Sequence, residues 1–273
     1  EVPMEARRWT GPLFWLHGDE SRERLEMYLG KVAEGGNGCF TAESRPHNDW
    51  LGEGWFRDLG ICLEAAKRHN LDMWIFDETW WPSGEAGGRV PAEYASKRLQ
   101  AAVFENAGAI PPSVENLVAV IAGRAKGEGW DGNSLLDLTR DFSDGILDTT
   151  LPKGFQIAAF TWALGPKRGE NYLVDGASQA AVDWYLDTVY QPHYDRFPND
   201  FGPTIKGFFY DEPETYGDWG TEVIPMLNEL GVDWKRAFIA KKLTLADPDE
   251  QTAALFKYNF ALAEACLLYT SDA

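Results

Sequence analysis

The 273 residues are 44% hydrophobic and 14% aromatic, enough apolar side chain for a large core and too much for a disordered chain. A formal charge of −18 disfavours nucleic acid or an anionic membrane as a partner and suits neutral or cationic ligands. The three cysteines, Cys39, Cys62 and Cys266, lack metal-ligand spacing, so neither a disulfide framework nor a zinc site is indicated, and no stretch approaches transmembrane length.

Leu13 to His17 reads as the first strand, bracketed by Gly11-Pro12 and Gly18-Asp19. Ser21 can cap the helix that follows, in which Leu25, Tyr28, Leu29 and Val32 form one apolar stripe that Gly35-Gly36 stops. Gly38 to Glu43 is a second strand, with the polar loop Ser44 to Asp49 after it. Trp55, Leu59, Cys62, Leu63 and Ala66 then mark a second helix, cationic in its last turn and closed by Asn70. Leu71 to Phe76 is strand three. The loop Thr79 to Arg89 is too rich in glycine and aromatics for a plain connector and is expected to line a pocket.

From about Leu99 to Pro166 the helical period disappears, and Leu117–Ile121, Leu135–Leu138 and Gln156–Phe160 read as short strands. The period returns in Ala181 to Phe197 and leads into a fourth strand, Thr204 to Tyr210, which Pro213 must end. Pro225 suits an early helical turn, and Asp247-Pro248 opens a last helix.

This order predicts an α/β fold: about four βα units of a partial (β/α)8 TIM barrel, carrying an inserted small β-rich region. Residues 1–98 supply three units, 99–166 the insertion, and 167–265 a further unit with its helices. Residues 266–273 resemble a translated adapter scar and are set aside, with the natural gene expected to continue past Ala265. A closed barrel needs eight strands, so the carboxy-terminal half is expected elsewhere. A doubly wound open sheet is the runner-up, but no glycine-rich phosphate motif follows a strand, which argues against a nucleotide cofactor. The chain starts at Glu1 without a basic-then-apolar leader, so its compartment cannot be read, although a periplasmic or extracellular setting would suit the whole protein.

Acids gather at the expected strand ends: Glu43, Asp77, Glu78, Asp211, Glu212 and Glu214, with Arg45, His47 and Asp49 in the second loop. Trp15, Trp50, Trp80, Trp81, Tyr210 and Trp219 stand near them in the sequence. Paired carboxylates with flat aromatic faces are what glycosidic cleavage requires, one carboxyl to protonate the leaving oxygen and a second to activate water or attack. A buried position beside Phe209 and Tyr210, between Asp211 and Glu214, would suit Glu212 to the acid role. Plainer readings stand alongside. Trp15 and Trp55 read as core, Asp77 and Glu78 equally as turn caps, and Asp211 to Glu214 as acids at a helix amino terminus. His47 reads as a hydrogen-bonding or sugar-contacting group rather than a metal ligand, having no second histidine at ligand spacing.

Two motifs together, Phe76-Asp77-Glu78-Thr79-Trp80-Trp81-Pro82-Ser83-Gly84 followed by Gly87-Gly88-Arg89-Val90, and Lys206-Gly207-Phe208-Phe209-Tyr210-Asp211-Glu212-Pro213-Glu214, resemble the catalytic barrel of α-L-rhamnosidase-type bacterial glycoside hydrolases, glycoside hydrolase family 106 and its uncharacterised relatives. Leu13 to Glu264 can be laid along it. The resemblance implies inverting hydrolysis of a glycoside or oligosaccharide by two glutamates, and allows for a calcium ion held by oxygen ligands. It assigns the general acid to Glu212, with Glu214 competing and Asp211 tuning or positioning it. Asp77, Glu78, Trp80, Trp81, Arg45, His47, Asp49 and Tyr210 would line the sugar site. The partner base would come from a later strand, outside these residues. A carbohydrate-binding barrel without catalysis and a hydrolase for another sugar, such as a β-galactoside, are the alternatives.

Overall fold

The computed structural model describes residues 4–105, 114–143, 146–147, 150–213 and 217–271. After a single helical turn at Met4–Arg7, strands and helices alternate: β1 (Leu13–Leu16), α1 (Arg22–Glu34), β2 (Cys39–Ser44), α2 (Glu53–His69) and β3 (Asp72–Phe76). Three longer strands follow, β4 (Lys97–Phe104), β5 (Leu117–Lys126) and β6 (Phe155–Leu164). Then come α3 (Gln179–Tyr185), a π-helical segment Leu186–Tyr190, α4 (Gln191–Arg196) and β7 (Ile205–Phe209). The chain closes with α5 (Val223–Glu229), α6 (Trp234–Lys242) and α7 (Pro248–Ser271), the last running on through residues 266–271. These elements form two compact units, the first of residues 1–91, 168–174 and 183–215, the second of 92–167, 175–182 and 216–273.

The first unit holds a sheet in the order β1-β2-β3-β7, all pairs parallel. Strands that pair in the order of the sequence, with helical crossovers between them, place every strand's carboxyl end on one edge. Local chemistry sets the boundaries as expected. Ser21 accepts from the Arg24 amide to start α1, and Asn70, at φ 54°, ends α2 in the left-handed conformation that asparagine tolerates.

Side chains alternate across this sheet. Leu16, Phe40, Ala42, Met73 and Ile75 lie on one face and are fully buried, and Phe208 on that face stacks on Tyr190 with ring centroids 4.1 Å apart. The other face is set by the register Leu13↔Thr41, Trp15↔Glu43, Thr41↔Trp74 and Trp74↔Gly207. Here Leu13 is 46% and Trp15 56% exposed. Trp15, read as core from the sequence, is therefore a surface residue, because its face carries no covering layer at β1. Trp55 is buried as expected.

The second unit is an antiparallel sheet with β6 between β4 and β5. Leu99, Ile121 and Phe160 from the sheet share one core with Trp219, Val223, Leu227, Phe238 and Tyr258. Residues from 217 to 265, grouped with the barrel in the sequence reading, thus pack on this sheet. Two elements were not foreseen. In β4 only Leu99 is buried, which leaves little apolar pattern to read, and α6 is a nine-residue helix whose apolar residues bunch at Ala237 to Ala240. The helix expected over Ala181 to Phe197 is interrupted by the π-helical segment.

Candidate active site

Two acids follow β3 directly, and both are buried. Asp77 accepts from the Ser83 hydroxyl at 2.6 Å and from the Tyr190 hydroxyl at 2.8 Å, with the Tyr185 hydroxyl 3.1 Å from its carbonyl oxygen. Glu78 accepts from four backbone amides, those of Thr79 (2.8 Å), Glu85 (2.9 Å), Ala86 (2.7 Å) and Gly87 (2.6 Å). Burial pushes both carboxyls up to about 7, and the neighbouring Glu78 charge adds to the push on Asp77. The donors separate them. Amides can only donate, so the cradle around Glu78 fits the carboxylate, whereas the hydroxyls around Asp77 can reverse and accept, so Asp77 is the member suited to carry the proton.

Asp77 and Glu78, expected to line a sugar site, are both closed off from solvent. Their oxygens are committed to protein donors, and what they hold is the loop that bears Trp80 and Trp81. Ser83 extends the tie to β7, its hydroxyl accepting from the Asp211 amide at 3.0 Å and its own amide donating to the Asp211 carbonyl at 2.9 Å. The far side of the loop is clamped through Glu85, which takes Asn171 Nδ2 at 2.7 Å and Arg168 Nε at 3.2 Å; Arg168 also donates to the Trp81 carbonyl. Ser83, Glu85, Arg168, Asn171, Tyr185 and Tyr190 were missed from the sequence. The separations from the loop to Arg168, Asn171 and the two tyrosines run to 80 residues and more, and no spacing rule carries such a signal.

His47 and Asp49 also hydrogen-bond within the fold. The Asp49 amide donates to His47 Nδ1 at 3.0 Å, which leaves Nε2 to donate to Asp58 at 3.1 Å, and the ring is buried edge-on against Trp55. The Asp49 carboxylate takes the Gly54 amide at 2.7 Å, in the first turn of α2. The buried His47 ring has both nitrogens committed to the fold, whereas Asp49 is exposed and spends only Oδ2 on the helix.

Glu43, at the end of β2, differs from all of these. It is fully buried, and in place of amide or hydroxyl donors it faces the Arg45 guanidinium and the Trp15 indole, with neither carboxylate oxygen in a hydrogen bond of ordinary geometry. Burial raises its proton affinity and Asp211 adds to the push, while Arg45 and the Trp15 indole pull against it. Arg45 lies among three rings, 5.6 Å from the centroid of Trp15, 5.7 Å from Phe76 and 5.5 Å from Trp80, and its Nε is also buried without a partner. Trp80 is 49% and Trp81 39% exposed, flat faces beside the strand ends as expected.

At the tip of β7, Asp211 is half-buried and Tyr210 stands edge-on to Tyr185 at 6.4 Å. Glu212 is exposed with φ 41°, so the burial expected of it beside Phe209 and Tyr210 is not found: the backbone turns outward there. Glu214 lies outside the described residues. Among the described residues no three His, Cys, Asp or Glu side chains are grouped to hold a metal ion.

No protein-family model matches the sequence, and no curated protein matches it. Among solved structures, a rhamnosidase from Novosphingobium sp. PP1Y is similar, with a TM-score of 0.69 and 14% sequence identity, over 97% of this chain and 44% of that one. The chain thus spans less than half the length of that neighbour. At such identity the likeness is one of fold, a distant glycoside hydrolase-like fold.

Proposed function

We propose that these residues are part of a glycoside hydrolase, within that class an α-L-rhamnosidase-like enzyme that inverts the anomeric centre with two carboxyl groups. The observation that carries the reading is the fold likeness, which extends over nearly the whole chain to part of a protein described as a rhamnosidase. Carboxylates and exposed tryptophans beside the carboxyl ends of parallel strands support it, since that edge is where barrel enzymes keep their chemistry. The four parallel strands are read as the first half of a (β/α)8 barrel. On that reading the open face at Leu13 and Trp15 is lumen, covered by the remaining strands.

The acid is assigned to Glu212, an exposed carboxyl just past β7 that can reach a glycosidic oxygen, with Glu214, outside the described residues, as the competing assignment. Asp211, tied to Ser83 through its backbone, fixes that turn. The second carboxyl, which activates water, is assigned to a strand beyond these residues, so the 273-residue chain alone is expected to be inactive. Aryl glycosides of several sugars, incubated with the whole protein and followed by proton NMR, test the reading. Release of β-L-rhamnose as the first product from an α-L-rhamnoside supports it, and first release of the α-anomer or indifference to every glycoside overturns it.

A carbohydrate-binding barrel without catalysis is the second reading, favoured by the outward, exposed position of Glu212. Sugar binding without turnover in the whole protein would select it.

A further inference from the structure

Three buried polar atoms without hydrogen-bond partners meet at one place: both carboxylate oxygens of Glu43 and Nε of Arg45. Nothing in the packing of β2 requires them. A leucine at 43 would bury as well against Phe76, and elsewhere at this edge the sequence supplies each buried carboxylate with donors, four amides for Glu78 and two close hydroxyls for Asp77. A buried carboxylate that faces a cation but accepts no hydrogen bond of ordinary geometry calls for an explanation outside the fold. The surroundings narrow it. Trp15 and Trp80 expose aromatic faces on either side of Arg45, a flat apolar setting beside two acceptors and a donor.

We infer that Glu43 and Arg45 form the specificity subsite of the sugar pocket, with the two Glu43 oxygens accepting from two adjacent hydroxyls of a neutral pyranoside while Arg45 donates to one of the same hydroxyl oxygens. Adjacent hydroxyls present two donors at a separation close to that of the two carboxylate oxygens, and each hydroxyl retains an acceptor lone pair for a guanidinium N–H. The ring then rests on Trp80 or Trp15. Ligand hydroxyls reach Glu43 past the Arg45 side chain, which bridges the two tryptophans and is the one cationic group against Glu43. A uronic acid is disfavoured, because its carboxylate would face Glu43 and Asp211 together. The inference rests on the glycoside reading above and goes beyond it by naming the chemical feature of the sugar that is selected.

The test is titration of the whole protein, by tryptophan fluorescence and calorimetry, with the methyl glycosides of L-rhamnose, D-mannose, D-galactose and D-glucuronate and with a 2-deoxy analogue of whichever binds best. A neutral glycoside should bind, with the glucuronide and the deoxy analogue at least tenfold weaker. Glu43→Gln should lose at least tenfold in affinity, with a lower melting temperature than the parent because it leaves the Arg45 guanidinium without its anion. Glu43→Asp keeps the charge, draws the oxygens back by a methylene, and should also lose at least tenfold. If a sugar binds but both Glu43 variants and the deoxy analogue bind as the parent does, the subsite is refuted and the glycoside reading survives. If no glycoside binds, both fall.

Discussion

At the scale of single residues, the carboxylates at one sheet edge divide by the kind of donor each meets. Asp77 is neutral in the folded protein up to about pH 7, while in the unfolded chain it ionises near the usual value of 3.8. Between those two values the native state holds a proton that the unfolded state releases, so stability falls as pH rises through that window and levels off above it, by as much as about 4 kcal/mol for a shift of this size. Urea midpoints measured from pH 4.5 to 8 should show that slope in the parent and lose it in Asp77→Asn; an unchanged slope in the variant would assign the proton elsewhere. Glu78→Gln should behave differently. Whichever oxygen becomes the amide nitrogen, two loop N–H groups lose their acceptor, a loss of about 3 kcal/mol, read as a fall in the thermal midpoint. A midpoint within a degree of the parent would show that the cradle does not hold the loop.

At the scale of elements, the π-helical segment explains how Tyr185 and Tyr190 meet one aspartate. Five residues along an α-helix face about 140° apart, and the wider π turn brings the two nearly into line. Tyr190→Phe removes the 2.8 Å hydrogen bond to Asp77 at a cost of about 1–2 kcal/mol. It should also extend the falling limb of the stability profile to higher pH, since that hydroxyl favours the ionised aspartate. A profile that does not move would mean the hydroxyl leaves the Asp77 equilibrium untouched.

The sequence made the α1, α2 and β1 to β3 alternation legible because capping residues and apolar periods act over a few positions: Ser21 and Asn70 end helices where they were expected to. The π segment was illegible, since what accompanies it is a pair of hydrogen bonds from two tyrosines to Asp77, more than 100 positions away. The same limit applies to the site. Acids at strand ends could be listed from the pattern, Glu43 among them, but whether each meets an amide, a hydroxyl or a cation depends on how the following loop folds back, as around Glu78, and on residues over 100 positions away, as with the two tyrosines at Asp77. Asp77, Glu78 and His47, expected at a sugar site, are buried and hydrogen-bonded within the fold, and Glu43, left out of the final selection, is the buried acid without a hydrogen bond of ordinary geometry.

At the scale of the whole molecule, two units each carry a core of their own. Phe238 sits at the centre of the second, fully buried with ring contacts to Phe160 at 5.3 Å, Trp219 at 5.6 Å and Tyr258 at 6.0 Å. Phe238→Ala should cost about 3–5 kcal/mol, seen as an earlier unfolding transition by calorimetry. A transition unmoved by the change would place the stabilising core of that unit elsewhere.

The central claim is that the tip of β7 supplies the acid of a glycosidase. The most direct test is the rate of aryl α-L-rhamnoside hydrolysis by the whole protein and by its Glu212→Gln and Glu214→Gln variants, with folding checked by circular dichroism. The account predicts that one of the two variants loses activity by about 100-fold or more on a substrate whose leaving group needs protonation. Full activity in both variants would contradict it.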